Sequence, residues 1–161
     1  MLRRPLLLAL PALPLVGCGF QLRQPLAYPF RTIALTGFAP RSPLETELRR
    51  ALAAGGVQIQ HAPRQAQVVL RALEDRRERS AVATTAAGQV REVQLRLNVK
   101  LRADTPAGRA LMAPVEMHLQ RDLSYGETAA LAKEQEEAEL FREMQSDVVS
   151  QVLRRLAALP V

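Results

Sequence analysis

The strict alternation of side chains between residues 92 and 102 constrains the fold more than any other feature of the sequence. Apolar residues point one way and polar residues the other, which is the period of a β-strand with one buried and one wet face. The apolar set is Val93, Leu95, Leu97, Val99 and Leu101, and the polar set is Glu92, Gln94, Arg96, Asn98, Lys100 and Arg102. A chain with this segment must build a sheet and cover one of its faces.

Other segments supply the remaining strands. Residues 31–37 and 66–83 predict strands, as does the stretch that runs through Val115 to about Tyr125, and Val57–Gln60 predicts a short edge strand. In the strand predicted at residues 66–83, the outer half, Glu74 to Arg79, is almost wholly charged. We therefore expect it to project beyond the helices, with neither face buried.

Two helices are available to cover the sheet. Ser42, Pro43 and Glu45 form a helix start with a capping box, and Gly55-Gly56 ends that helix. A second helix runs from about Thr128 to the end of the chain. Its apolar stripe is Leu131, Ala138, Phe141, Met144, Val148, Val152, Leu156 and Leu159. The prediction is an α+β two-layer sandwich: a mostly antiparallel sheet of about four strands, covered on one face by two helices.

The first residues have the ordered parts of an export signal. Arg3 and Arg4 are followed by an apolar stretch, which ends in Leu15-Val16-Gly17-Cys18 and contains the chain's single cysteine. That is a lipoprotein cleavage box, so we expect residues 1–17 to be a signal peptide and Cys18 to carry the lipid anchor. A transmembrane helix is the alternative, but the apolar stretch falls short of the ~20 residues that cross a bilayer and contains three prolines.

The rest of the chain fits one domain behind a tether. Residues 18–30 lack any period and predict a lipidated tether, and residues 31–161 predict a single α+β domain. The formal net charge is +6, and the basic excess is nearly all arginine. Arginine pairs with phosphates and carboxylates, but export excludes nucleic acid as the partner. Gly19, rather than an aspartate, follows Cys18, which favours the outer membrane over the inner one.

The sequence offers no site for catalysis. His61 and His118 lie far apart, and neither has a metal-ligating partner three or four residues away. Nucleophile elbows and glycine-rich phosphate loops are absent from the sequence. We therefore predict no enzyme activity and no cofactor.

Several motifs in order resemble a known family. They are Cys18 to Arg23, the Ser42-Pro43-Leu44 helix opening, and Ala130 to Lys133 on the last helix. Together they are similar to the LPS-assembly lipoproteins, the LptE family. The resemblance implies a lipoprotein on the periplasmic face of the outer membrane. It also implies that this lipoprotein plugs a β-barrel partner, LptD, helps it to assemble and helps to deliver lipopolysaccharide to the outer leaflet.

The resemblance also implies basic residues that contact lipopolysaccharide. Lys133 matches one such position, near the start of the last helix, but the hairpin tip Thr84–Gly88, where another is expected, carries no charge. Arg79, Arg91 and Arg121 are the substitutes, and we expect Arg79 and Arg91 to lie roughly opposite each other on paired strands. Two other interpretations stay open: an auxiliary lipoprotein of an inter-membrane lipid transporter, and a periplasmic hydrolase.

Overall fold

The computed structural model describes residues 26–124 and 130–160. Its strands are β1 (Thr32–Thr36), β2 (Gln58–Gln60), β3 (Val68–Thr84), β4 (Val90–Asp104) and β5 (Ala110–Ser124). Its helices are α1 (Pro43–Ala54), α2 (Ala130–Ala157) and one 3-10 turn (Pro63–Gln65). The predicted signal peptide, Cys18 and the start of the tether lie outside the described residues.

The five strands form one sheet in the order β2-β1-β3-β4-β5. The three long strands, β3, β4 and β5, pair antiparallel through tight hairpins, whereas β1 pairs in parallel with both β2 and β3. The parallel pairs follow from the chain path, because α1 connects β1 to β2 as a crossover. The predicted α+β sandwich is confirmed, with five strands instead of about four.

The short strands β1 and β2 flank only one end of β3. The pairing of β1 with β3 ends at Thr36 and Arg71, while β3 continues to Thr84. Only the first four residues of β3, from Val68 to Arg71, therefore pair with β1, and the rest of the strand pairs with β4 alone among the described residues.

Both helices pack on the same face of the sheet. The β4 residues Val93 to Leu101 that were predicted to be apolar and inward are fully buried. They meet Leu44, Leu48 and Leu52 from α1 and Met144, Val148, Val152 and Leu156 from α2, all at helical spacing. Along the predicted stripe of α2, Ala138 is exposed, whereas Phe141 packs against this core. The side chain of Leu131 lies outside the described residues.

Helix α1 begins at its predicted cap, but only half of the predicted capping box forms, because the Ser42 backbone N–H donates to Ala39 and the Glu45 carboxylate accepts from Arg49. The Ser42 hydroxyl accepts a hydrogen bond from the backbone N–H of Glu45 at 3.1 Å, and Pro43 occupies the first turn. Tyr28 and Phe30 pack against the same core, with their ring centroids 5.6 Å apart. The packed part of the chain therefore includes the last residues of the segment predicted as a tether.

Candidate interaction surfaces

One face of the sheet is polar across its three long strands. Side chains from β3, β4 and β5 form four cross-strand rows on the side away from the helices, and each is exposed or partly exposed. We call this the polar sheet face. Its rows are Glu74, Lys100 and Glu116; Arg76, Asn98 and His118; Glu78, Arg96 and Gln120; and Ser80, Gln94 and Asp122.

Cross-strand contacts hold the polar sheet face together. The Lys100 ammonium lies 2.5 Å from Glu116, Asn98 Oδ1 lies 2.9 Å from His118 Nδ1, and Gln94 donates to Asp122 at 3.0 Å. The hydrogen bond and the charge of Lys100 lower the pKa of the Glu116 carboxyl, and the same contact raises the pKa of Lys100. These contacts fix the polar groups in position before any partner arrives.

The other candidate site is a cleft between β3 and the first turns of α2. It has a volume of about 620 Å³. We call it the arginine cleft, and its lining is Arg77, Arg79, Glu134, Glu137, Ala138, Phe141 and Arg142. The two strand arginines come from the charged run that was predicted to have neither face buried. The run does not project beyond the helices as predicted, since the side chains of Arg77 and Arg79 contact α2, but none of its residues from Glu74 to Arg79 is buried.

A β-bulge places these arginines under the helix. Ala72 pairs with Leu101, but the next pair is Glu74 with Lys100, so Leu73 is an extra residue in β3. After the bulge Asp75, Arg77 and Arg79 lie opposite the buried residues Val99, Leu97 and Leu95. The side chains of Asp75, Arg77 and Arg79 therefore lie on the same face of β3 as those of Leu70 and Ala72.

Arg77 is exposed as a residue, and its guanidinium has two contacts on α2. It donates a short hydrogen bond to the Gln145 side-chain carbonyl, and its guanidinium carbon lies 5.3 Å from the centroid of the Phe141 ring. Burial lowers the pKa of Arg77, and the charges of Asp75 and Glu47 partly oppose that shift. Its hydrogen-bond partner is therefore a neutral amide, with carboxylates at longer range.

Of the basic residues predicted to contact lipopolysaccharide, two lie near one another and two lie elsewhere. Arg79 Nε donates to Glu137 at 3.0 Å, and Lys133, one turn earlier on α2, pairs with Glu136 at 2.7 Å. Arg91 lies at an irregular position of β4, and Arg121 is exposed on β5. The prediction that Arg79 and Arg91 oppose each other is wrong, because Arg79 pairs with Leu95, four residues further along β4.

Sequence reasoning missed Arg77 and Arg142. Its assignment of Phe141 to the core stripe holds, since Phe141 packs against the core and also contacts Arg77. The bulge at Leu73 decides which face of β3 the charged side chains occupy. The sequence does not reveal it, because a run of charged residues has no alternation of apolar and polar side chains. One usable clue was the spacing of Arg77 and Arg79, which places both on one face of a strand.

Comparison with other proteins identifies the family to which this chain belongs. Residues 30–156 match the family model described as LptE, Lipopolysaccharide-assembly. The chain belongs to the LptE family. It is 28% identical over 153 residues to the LPS-assembly lipoprotein LptE of Photorhabdus laumondii, covering 94% of this chain and 83% of that protein. Membership implies a role in lipopolysaccharide assembly.

Solved structures of two lipoproteins have the same fold as this LptE-family chain. Lipoprotein B from Nitrosomonas europaea superposes with a TM-score of 0.72 at 27% identity, covering 87% of this chain and 91% of that one. A minor lipoprotein from Acinetobacter baumannii gives a TM-score of 0.64 at 28% identity, covering 81% of this chain and 95% of that one. Both support the fold described above.

The described part of this LptE-family chain lacks two features. Among residues 26–124 and 130–160, no three His, Cys, Asp or Glu residues gather as metal ligands would. No helix in the same residues is long and apolar enough to cross a membrane.

Proposed function

We propose that this chain is an outer-membrane lipoprotein that plugs and helps to assemble a β-barrel lipopolysaccharide translocon of the LptD type. Its lipid anchor is Cys18, on the periplasmic face, and it aids delivery of lipopolysaccharide to the outer leaflet without catalysing a reaction. Family membership supports the role in lipopolysaccharide assembly. The polar sheet face is the observation that supports the role as a barrel plug.

The polar sheet face suits the inside of a wide barrel. The lumen of an outer-membrane barrel is lined by polar side chains, so a plug must present hydrogen-bonding groups to it. Four rows on three strands cover about 10 Å by 20 Å at normal strand spacing. Because its donors and acceptors are already fixed by cross-strand contacts, this face loses little side-chain freedom when it meets another polar surface.

The lipopolysaccharide contacts belong to the same proposal. Lys133 and Arg79 have the strongest support, because Arg79 pairs with Glu137, one turn along α2 from Lys133. Arg91 and Arg121 remain candidates at separate places on the outer ends of β4 and β5. Lipid A carries phosphate groups, which guanidinium and ammonium groups bind.

Affinity purification in mild detergent tests the partner. The full lipoprotein is expected to recover a large outer-membrane barrel protein, and Arg96→Glu, at the centre of the polar sheet face, is expected to recover much less. Arg50→Glu is the matched control, since Arg50 is an exposed arginine on α1. Recovery of an inter-membrane lipid transporter without a barrel would instead identify an auxiliary transporter lipoprotein.

Membrane fractionation tests the anchor. Cys18→Ala should leave the fold intact and release the protein into the soluble periplasmic fraction, because the acyl chains bind the bilayer at ~0.8 kcal/mol per methylene. Continued attachment of the unlipidated protein would contradict anchoring through Cys18. A hydrolase activity lost in His118→Ala would contradict the non-enzymatic role.

A further inference from the structure

A second groove lies between α1, α2 and the segment that precedes β1. It has a volume of about 380 Å³. We call it the helix groove, and its lining is Leu26, Tyr28, Glu47, Ala51, Ala54, Gly55, Ser146, Val149, Ser150 and Leu153. This lining is mostly apolar, and Glu47 is its one charged residue.

The described chain begins its path along the helix groove. Leu26 and Tyr28 both line it. Tyr28 lies against Gly55 at the end of α1, where an added Cβ would be 2.7 Å from the Tyr28 ring. Leu26 is 39% exposed, so its side chain lacks part of the cover that a filled groove would give. Alternate residues of an extended segment face the same side, so Leu26 and Tyr28 place one face of this segment against the helices.

The sequence before Leu26 suits a continuation of the same path. Leu22 has the same even spacing as Leu26 and Tyr28, so an extended backbone would turn its side chain toward the helices as well. Pro25 favours that backbone, because a proline restricts the preceding residue, here Gln24, to extended conformations.

Length and charge also match the helix groove. Four extended residues span ~13 Å, and α1 rises ~12 Å between Glu47 and Gly55. Arg23 is the single charged residue of the sequence 19–25. Its charge is opposite to that of Glu47, the charged residue of the lining.

We propose that residues 22–25 of this chain bind in the helix groove, with Leu22 against the apolar lining and Arg23 beside Glu47. Apolar burial supplies most of the stabilisation, because the ion pair lies at the surface and is weak. The occupant is therefore the chain's own tether, and the groove is an intramolecular docking site.

Docking shortens the free part of the tether. Four residues connect Cys18 to Leu22 and reach at most ~14 Å, whereas eight residues connect Cys18 to Leu26 and reach at most ~28 Å. A docked tether therefore holds the domain close to the bilayer and limits its orientation. This consequence rests on the proposed lipid anchor at Cys18, whereas the docking itself does not.

Limited trypsin digestion of the full lipoprotein in non-ionic detergent tests the docking. Cleavage after Arg23 should be slow relative to cleavage after exposed Arg109, next to the turn between β4 and β5. Leu22→Ser should speed cleavage after Arg23 about tenfold or more, the factor expected for loss of one buried leucine side chain. Gln21→Ser should change the rate little, because Gln21 lies on the opposite side of an extended segment.

A matched pair of variants on α1 tests the groove without altering the tether. Ala54 lines the helix groove and Ala53 does not, and both residues are exposed, so both should tolerate tryptophan. Ala54→Trp should fill part of the groove and speed cleavage after Arg23 severalfold, while Ala53→Trp should leave that rate unchanged. Unchanged cleavage in Leu22→Ser, or equal rates in the two tryptophan variants, would overturn the proposal.

Disulfide trapping identifies the occupant of the helix groove. In a Cys18→Ala background, Leu22→Cys should form a disulfide within one chain with Ser146→Cys, which lines the groove, and not with Asp147→Cys, which is exposed beside it. A disulfide between two chains would assign the groove to a second copy, and no disulfide with Ser146→Cys would leave it to another partner; either result would overturn the proposal. Because this background has no lipid anchor, such a failure would leave anchoring through Cys18 untouched. Membrane attachment that persists alongside the expected disulfide would count against the anchor alone.

Discussion

The side-chain amide of Gln145, on α2, donates a hydrogen bond to the backbone carbonyl oxygen of Pro43, in the first turn of α1, at 3.2 Å. Gln145 also donates to the Glu47 carboxylate and accepts from Arg77. It is only 5% exposed. One buried amide therefore connects α1, α2 and β3 at the inner end of the arginine cleft.

Gln145→Met should destabilise the protein by about 1–3 kcal/mol, because it fills similar space and leaves Arg77 and Glu47 without this partner. Urea unfolding measures the change in free energy. Gln135→Met is the control, since Gln135 is exposed on the same helix and the change should cost less than about 0.5 kcal/mol. Equal stability of the two variants would show that the Gln145 contacts contribute nothing.

Gly37→Ala should destabilise the protein more than Gly88→Ala. Both glycines have similar positive φ angles, 76° and 77°, so an alanine strains either backbone by about 1–2 kcal/mol. A Cβ at Gly37 would also lie 2.4 Å from the carbonyl oxygen of Ala72, whereas a Cβ at Gly88 meets nothing within 4 Å. The free energies of unfolding of the two variants, measured by thermal or urea unfolding, should differ by about 1–3 kcal/mol. Equal values would contradict the close approach of Gly37, after β1, to Ala72 in β3.

The Glu116 carboxyl should titrate below its ordinary pKa, and Lys100→Gln should return that pKa upward. Because the folded-state pKa is lowered, the contact stabilises the fold above the unfolded-state pKa of the carboxyl. That contribution disappears as the pH falls through the lower folded-state value. NMR titration of the glutamate carboxyl carbons measures both proteins, and an unchanged Glu116 pKa in Lys100→Gln would remove Lys100 as the cause.

Lys133→Glu should weaken lipopolysaccharide binding more than barrel binding. Each cation near an anionic lipid surface contributes about 1 kcal/mol, so a reversal should cost roughly 10- to 30-fold in lipid affinity. One charge contributes little to a large protein contact surface, so recovery of the barrel should change little. If both activities fall together, Lys133 is a packing residue rather than a ligand contact.

The sequence was enough to predict those elements that have a regular hydrophobic alternation or a clear helix cap. The alternation from Val93 to Leu101 predicts the core face of β4, and Ser42 and Glu45 predict the start of α1. Both signals are local, and the tertiary structure agrees with them.

The arginine cleft could not be predicted in this way. Its floor depends on the bulge at Leu73, which shifts the faces of a charged strand by one residue. Its wall depends on Phe141, which packs against the core, as its spacing predicts, and also lies beside Arg77. Neither the bulge nor the contact of Phe141 with Arg77 leaves a pattern in one sequence.

Photo-crosslinking in intact cells tests the central claim most directly. A photoreactive amino acid in place of Asn98, in the second row of the polar sheet face, should form an adduct with an outer-membrane barrel protein of the LptD type. Adducts from Asn98 that contain an inter-membrane transporter component and no barrel, with the lipoprotein folded and expressed, would contradict the account.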